Sequence, residues 1–272
     1  MGLLRFILER VTRFQVFSYW RQLPDPFSKV RIYVTPDASL KYLRREETAF
    51  TSDLLQFAHE YVKPDYCVWD IGANLGLFTF SAAMMAGRNG HVIAFEPDPK
   101  LVGFIQKSMS QQSPNSAPVT IVEAAVSKNS GEENFQIASR GRATNKLESA
   151  TGSTQMGGIR KVIQVKCVTI DAMLGLYETP HLVKMDIEGG EFDALQNATE
   201  LLSKVRPIIY CELGPGGQSV LQLLNNAKYQ IFDPSCSEES LLISDAEKLQ
   251  NVLALPEEIS AKVTAQRPTP QT

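Results

Sequence analysis

Five short apolar runs, each closing on an acid, constrain this chain more than any other feature. They occupy residues 66–71, 90–95, 119–122, 182–185 and 207–211, and the acids at their ends are Asp70, Glu96, Glu123, Asp186 and Glu212. Helical patterns separate most of them: residues 77–85 are small and apolar, and residues 100–109 and 192–202 repeat at helical spacing. Ahead of the first run, Leu54, Leu55, Phe57, Ala58, Tyr61 and Val62 make one face of a helix that starts near Ser52 and stops before Pro64. Strands alternating with helices predict an α/β fold: a doubly wound, Rossmann-like, mostly parallel sheet with helices on both faces.

Three stretches depart from that rhythm. Residues 133–138 and 159–168 read as two strands of a β-hairpin insertion, joined by a Gly-, Ser- and Thr-rich loop over about 139–158. At the start, Leu3, Leu4, Ile7, Leu8, Val11 and Phe14 oppose Arg5, Glu9, Arg10 and Arg13 in an amphipathic N-terminal helix, with Phe17, Tyr19 and Trp20 near its end. Residues 29–34 read as a strand and 40–43 as its return. Near the other end, residues 229–232 and 241–243 are predicted to pair, and residues past about 256 read as a frayed tail. The implied division is 1–46 for the N-terminal helix and hairpin, 47–245 for the main domain, and 246–272 for a C-terminal tail.

A net charge of −3 without a clustered basic face argues against a nucleic-acid partner. The arginines of the N-terminal helix interrupt any run long enough to span a membrane. That helix is expected to pack on its own domain, to make a homo-oligomer contact, or to attach peripherally to a membrane surface. Four cysteines without zinc-like spacing read as buried thiols, which fits a cytoplasmic location.

In an open α/β sheet, ligands bind beyond the carboxyl ends of the strands. Five acids there discriminate between cofactors. A pyrophosphate wants a glycine-rich loop of amides; here the loop after the first strand reads D-I-G-A-N-L-G, without the full dinucleotide fingerprint. S-adenosylmethionine instead carries a sulfonium and an ammonium, which acids suit. Gly72 and Gly76 are expected to let the backbone approach the ligand. Glu96 is placed to accept hydrogen bonds from two ribose hydroxyls.

The blocks V-W-D-I-G-A-N-L-G from Val68, A-F-E-P from Ala94, V-T-I-D from Val168 and V-K-M-D-I-E-G-G-E from Val183 resemble, in order and spacing, those of FkbM-type methyltransferases, over roughly residues 45–235. Ile170 and Met185 depart slightly from the usual pattern. The resemblance implies a seven-stranded class I sheet and methyl transfer to a hydroxyl oxygen on a sugar, glycan or natural product. It places Asp70, Gly72, Asn74, Gly76 and Glu96 at cofactor-binding positions, with Glu123 on the adenine side. Asp186 is the leading general base, with Glu188 and Glu191 close behind it in the D-I-E-G-G-E block. Asp186, Glu188 and Glu212 offer oxygens that Mg²⁺ accepts, although no metal is expected. The competing readings are an N-methyltransferase, which would lack its usual Asn/Asp-Pro-Pro-aromatic motif, and a non-catalytic cofactor-binding scaffold.

Overall fold

The computed structural model describes residues 17–43, 50, 52–139, 141–150, 158–234 and 248–264. The predicted N-terminal helix lies mostly in residues 1–16, outside the described residues, as does the predicted strand 241–243. Among the described residues no helix is long and apolar enough to cross a membrane.

Among the described residues seven strands form the main sheet: β3 (Cys67–Ile71), β4 (His91–Phe95), β5 (Val119–Val122), β10 (Leu182–Met185), β11 (Ile208–Glu212), β12 (Tyr229–Phe232) and β13 (Asn251–Pro256). Their spatial order is β12-β13-β11-β10-β3-β4-β5. β13 runs antiparallel to both its neighbours, β11 and β12, and the other pairs are parallel. The chain steps outward from β3 through β4 to β5, then returns to β10 on the other side of β3. The order therefore reverses between β3 and β10, the point where open α/β sheets leave a crevice at their carboxyl ends.

Both faces of the sheet are covered, because its strands carry apolar side chains on both sides. Val68, Leu182 and Tyr210 pack with α1 (Ser52–Tyr61), α2 (Leu77–Ala86) and α3 (Pro99–Met109). Trp69, Ile71, Val183, Met185 and Cys211 point the other way. They meet α4 (Ile170–Leu174), α5 (Glu191–Leu195) and α6 (Gly217–Asn226). Eight of the ten residues of α2 are buried, which suits a helix apolar all round. Asp98 caps α3 by accepting the Lys100 N–H, with Pro99 in the first turn.

Several expectations need correction. Tyr19 and Trp20, read as lying near the end of a helix, belong to β1 (Tyr19–Gln22), which pairs antiparallel with β2 (Arg31–Val34). The Trp20–Tyr33 ring contact across that pair explains the preference, since aromatic cross-strand pairs stabilise a ribbon. Residues 40–43 do not return as a strand. They form a 3₁₀ turn, and the Tyr42 carbonyl accepts from the Tyr19 hydroxyl and from Arg21. The insertion is more than a hairpin: β6 (Ala125–Val126), β7 (Gly131–Ala138), β8 (Lys146–Leu147) and β9 (Ile159–Val168) form a four-stranded sheet in the order β6-β9-β7-β8. The expected tail from 246 contains β13, inserted between β11 and β12, and α7 (Glu257–Thr264).

Candidate active site

The loop between β3 and α2 is shaped by its own protein neighbours. The N–H groups of Gly72 and Ala73 both donate to the Phe95 carbonyl at 3.0 Å. Gly72 has φ +82°, and a Cβ there would lie 1.9 Å from the Asp186 carbonyl oxygen. At Gly76, φ +84°, a Cβ would strike the Phe80 ring at 2.6 Å. The room these glycines make is filled by the end of β10 and by α2.

Asp70 stands behind this loop. Its side chain is fully buried; it accepts from the Thr79 hydroxyl at 2.5 Å and pairs with the Lys184 ammonium at 3.2 Å. Lys184 lies directly opposite Asp70 in the β3–β10 register and opposite Tyr210 in the β10–β11 register. Its Nζ donates to the Gly72 carbonyl at 2.7 Å and sits 3.8 Å from Asp186. Burial alone would depress the Lys184 pKa, but Asp70 and Asp186 outweigh it and leave it raised. Sequence reasoning passed over this lysine. A cation inside a four-residue strand whose other positions are apolar was the available signal, because such a charge is almost never buried without a partner.

Beyond the strand ends lies a cavity of about 360 Å³. One end is bounded by Asn74, Glu96, Pro97 and Leu101, together with Arg142 and Asn145 of the insertion. Glu96 accepts from the N–H of Asp98 at 2.9 Å and of Asn74 at 2.8 Å. Burial nevertheless pushes its carboxyl up to about 8. Arg142 and Asn145 of the insertion stand beside the Asp98 cap next to Glu96.

The wall also holds Asp186, Glu188 and Glu212 with Lys41, Tyr42, Asp53 and Tyr210. Carboxylate oxygens of the three acids lie within 4.8 Å of one another, close enough to hold a proton or a divalent cation between them. Burial and the neighbouring Asp186 and Glu191 push Glu188 up to about 8. Burial, and then the charge of and a hydrogen bond with Asp186, push Glu212 up to about 10. The Asp186 side chain is 37 % exposed. Lys41, Tyr42 and Asp53 carried no motif, because they enter this wall from turns and helices far away in sequence.

Four predicted residues lie outside the cavity wall. Glu191 is buried, and its carboxylate accepts from the N–H groups of Ile187 at 3.0 Å and Gly189 at 3.2 Å. It closes the turn that presents Asp186 and Glu188, and it does not line the cavity. Glu123 is exposed and outside the cavity wall; Ala124, Ala125 and Val126 line it there. Asp70 and Gly76 are also absent from the wall, whereas Gly72, Asn74, Glu96, Asp186 and Glu188 are in it.

A family model described as the methyltransferase FkbM domain matches residues 70–231, more than half of the chain. The chain belongs to the FkbM methyltransferase family. It is an S-adenosylmethionine-dependent methyltransferase with a Rossmann-like α/β fold. The hexuronic acid methyltransferase AglP of Haloferax volcanii is 27% identical over 184 residues, covering 65% of this chain and 68% of that protein. Among solved structures, methyltransferase FkbM from Methylobacillus flagellatus aligns with a TM-score of 0.43 at 16% identity, covering 80% of this chain and 58% of that one. An S-adenosylmethionine-dependent O-methyltransferase from Thermotoga maritima aligns at 0.46 and 11%, covering 83% and 73%.

Proposed function

We propose that this FkbM-family protein methylates a hydroxyl oxygen of a sugar, with Asp186 as the general base. The single observation that carries the reading is the placement of Asp186. It is part-exposed in the same cavity as buried Glu96 and sits among acids that burial holds in their protonated range.

The donor set fits the cofactor. Glu96 is a buried carboxyl whose oxygens each accept one backbone N–H, leaving lone pairs for a ribose diol. Asn74 and Gly72 border it. When bound, the cofactor supplies an electrophilic methyl group on a sulfonium sulfur.

The residues of this chain then do the rest. Glu212 sits against Asp186 with its own carboxyl held in the protonated range. The Lys184 ammonium lies 3.8 Å from Asp186. Asp186 takes the proton of the acceptor hydroxyl as its oxygen is methylated. A positioned base of this kind is worth roughly 10²–10⁴-fold. Glu188, at φ +55°, lines the cavity beside it, and Glu191 holds the turn that carries both. A sugar acceptor is supported by AglP, a relative named for a hexuronic acid.

Calorimetry with S-adenosylhomocysteine, followed by transfer of labelled methyl to uronic acids and neutral sugars, tests the proposal. Asp186→Asn should keep affinity for S-adenosylhomocysteine and lose at least about tenfold in turnover; unchanged turnover removes Asp186 from the role. Because Lys184 and bound protons already offset the acid cluster, activity should survive EDTA.

A further inference from the structure

Two buried acids outside the catalytic cluster tie the insertion to the rest of the domain, and one side chain joins them. Asp37 follows β2, and its side chain is 1 % exposed. It accepts from Lys100 of α3 at 2.8 Å, from Arg142 at 2.8 Å and from Arg160 at 2.8 Å. Those three cations hold it well below the usual carboxylate range despite its burial. Asp98, the cap of α3, accepts from the Lys100 N–H at 3.0 Å, from Asn145 at 3.0 Å and from Arg142. The Asp98 N–H in turn holds one oxygen of Glu96 at 2.9 Å. Arg142 is thus the side chain shared by both acids, and its backbone N–H also donates to the Asp37 carbonyl at 3.1 Å. It lines the cavity beside Glu96 and is 12 % exposed.

We propose that Arg142 is a positioning residue for the ribose end of the cofactor: by bridging Asp37 and Asp98 it seats the insertion as the wall over that end and holds the cap that orients Glu96. This inference rests on the reading of Glu96 as the ribose acid. A guanidinium suits the task because its planar fork holds separate N–H donors in a fixed geometry, Nε to Asp37 and Nη1 to Asp98. Losing Arg142 leaves Asp37 with Lys100 and Arg160, and Asp98 with Asn145 and the Lys100 N–H. The domain keeps its ties while the wall loses its register over the cavity. The effect therefore falls on cofactor affinity rather than on the methyl-transfer step at Asp186.

The test compares wild type, Arg142→Met and Arg142→Lys. It measures S-adenosylhomocysteine affinity by calorimetry, kcat at saturating cofactor, and KM for the acceptor. Arg142→Met should weaken S-adenosylhomocysteine at least about tenfold, with kcat and acceptor KM within about threefold, and Arg142→Lys should recover part of the loss because one of the two acids is still paired. Affinity within about threefold of wild type overturns the proposal, as does a fall in kcat or a rise in acceptor KM at unchanged affinity. Should Arg142→Met show no folding transition, Asn145→Ala, which removes a second insertion bond to Asp98, must weaken S-adenosylhomocysteine in the same way or the proposal fails. Wild-type protein that binds no S-adenosylhomocysteine refutes the functional reading itself. Wild-type binding with unaffected variants refutes only the role of Arg142.

Discussion

Replacing Lys184 by Met should destabilise the domain severely, and the size of the effect follows from three contacts. The ammonium is 3 % exposed and lies 3.2 Å from Asp70, whose side chain is fully buried. Removing one partner of a buried ion pair strands the other charge and costs about 3–5 kcal/mol. The Gly72 carbonyl, 2.7 Å away, also loses its donor, which adds about 1–3 kcal/mol if no water replaces it. The contact with part-exposed Asp186 at 3.8 Å adds little, because solvent screens it. The sum, about 4–8 kcal/mol, is a large share of the 5–15 kcal/mol that typically stabilises a folded protein. For a domain of this size it corresponds to a fall in Tm of about 8–32 °C. Urea unfolding and calorimetry measure it. The double variant Asp70→Asn with Lys184→Met should be more stable than Lys184→Met alone, since the stranded charge is gone. A single-variant cost below about 1 kcal/mol, or a double variant at the sum of the two singles, would show that Lys184 and Asp70 are not a coupled buried pair.

Two further outcomes follow. Gly72→Ala places a Cβ 1.9 Å from the Asp186 carbonyl at a positive φ, so it should cost at least about 2 kcal/mol by urea unfolding and lower turnover by shifting Asp186; a variant as stable as wild type contradicts that close approach. Glu212, raised from 4.5 to about 10, adds stability that is complete below its unfolded pKa and is lost as pH rises through about 10. Glu212→Gln removes this loss, so its Tm relative to wild type should climb steadily from about pH 6 to pH 10. A difference independent of pH rules out the ionisation penalty.

Much of the site was legible because it is local. Apolar runs ending in acids follow from strand periodicity, and they placed Glu96 and Asp186 at the right ends of the right strands. The D-I-E-G-G-E block marked a special turn, yet its three acids diverge: Asp186 and Glu188 face the cavity while Glu191 turns inward to bond Ile187 and Gly189. Side-chain direction within a tight turn depends on φ values that residue types only suggest. Glu123 had the same strand-end pattern as Glu96 but lies exposed outside the wall.

By itself, then, the sequence determined the α/β alternation, the acids at the strand ends and the choice of a cationic cofactor, because each depends on periodicity and charge within a few residues. Only the tertiary structure decided that Lys184 stands opposite Asp70, although 114 positions separate them in the chain. Only it brought Arg142 to Asp37, 105 residues away, and set β13 between β11 and β12. Such pairings depend on strand order and on which buried charges must neutralise one another. No local pattern encodes either, since the free energy that selects them exists only once the sheet is assembled.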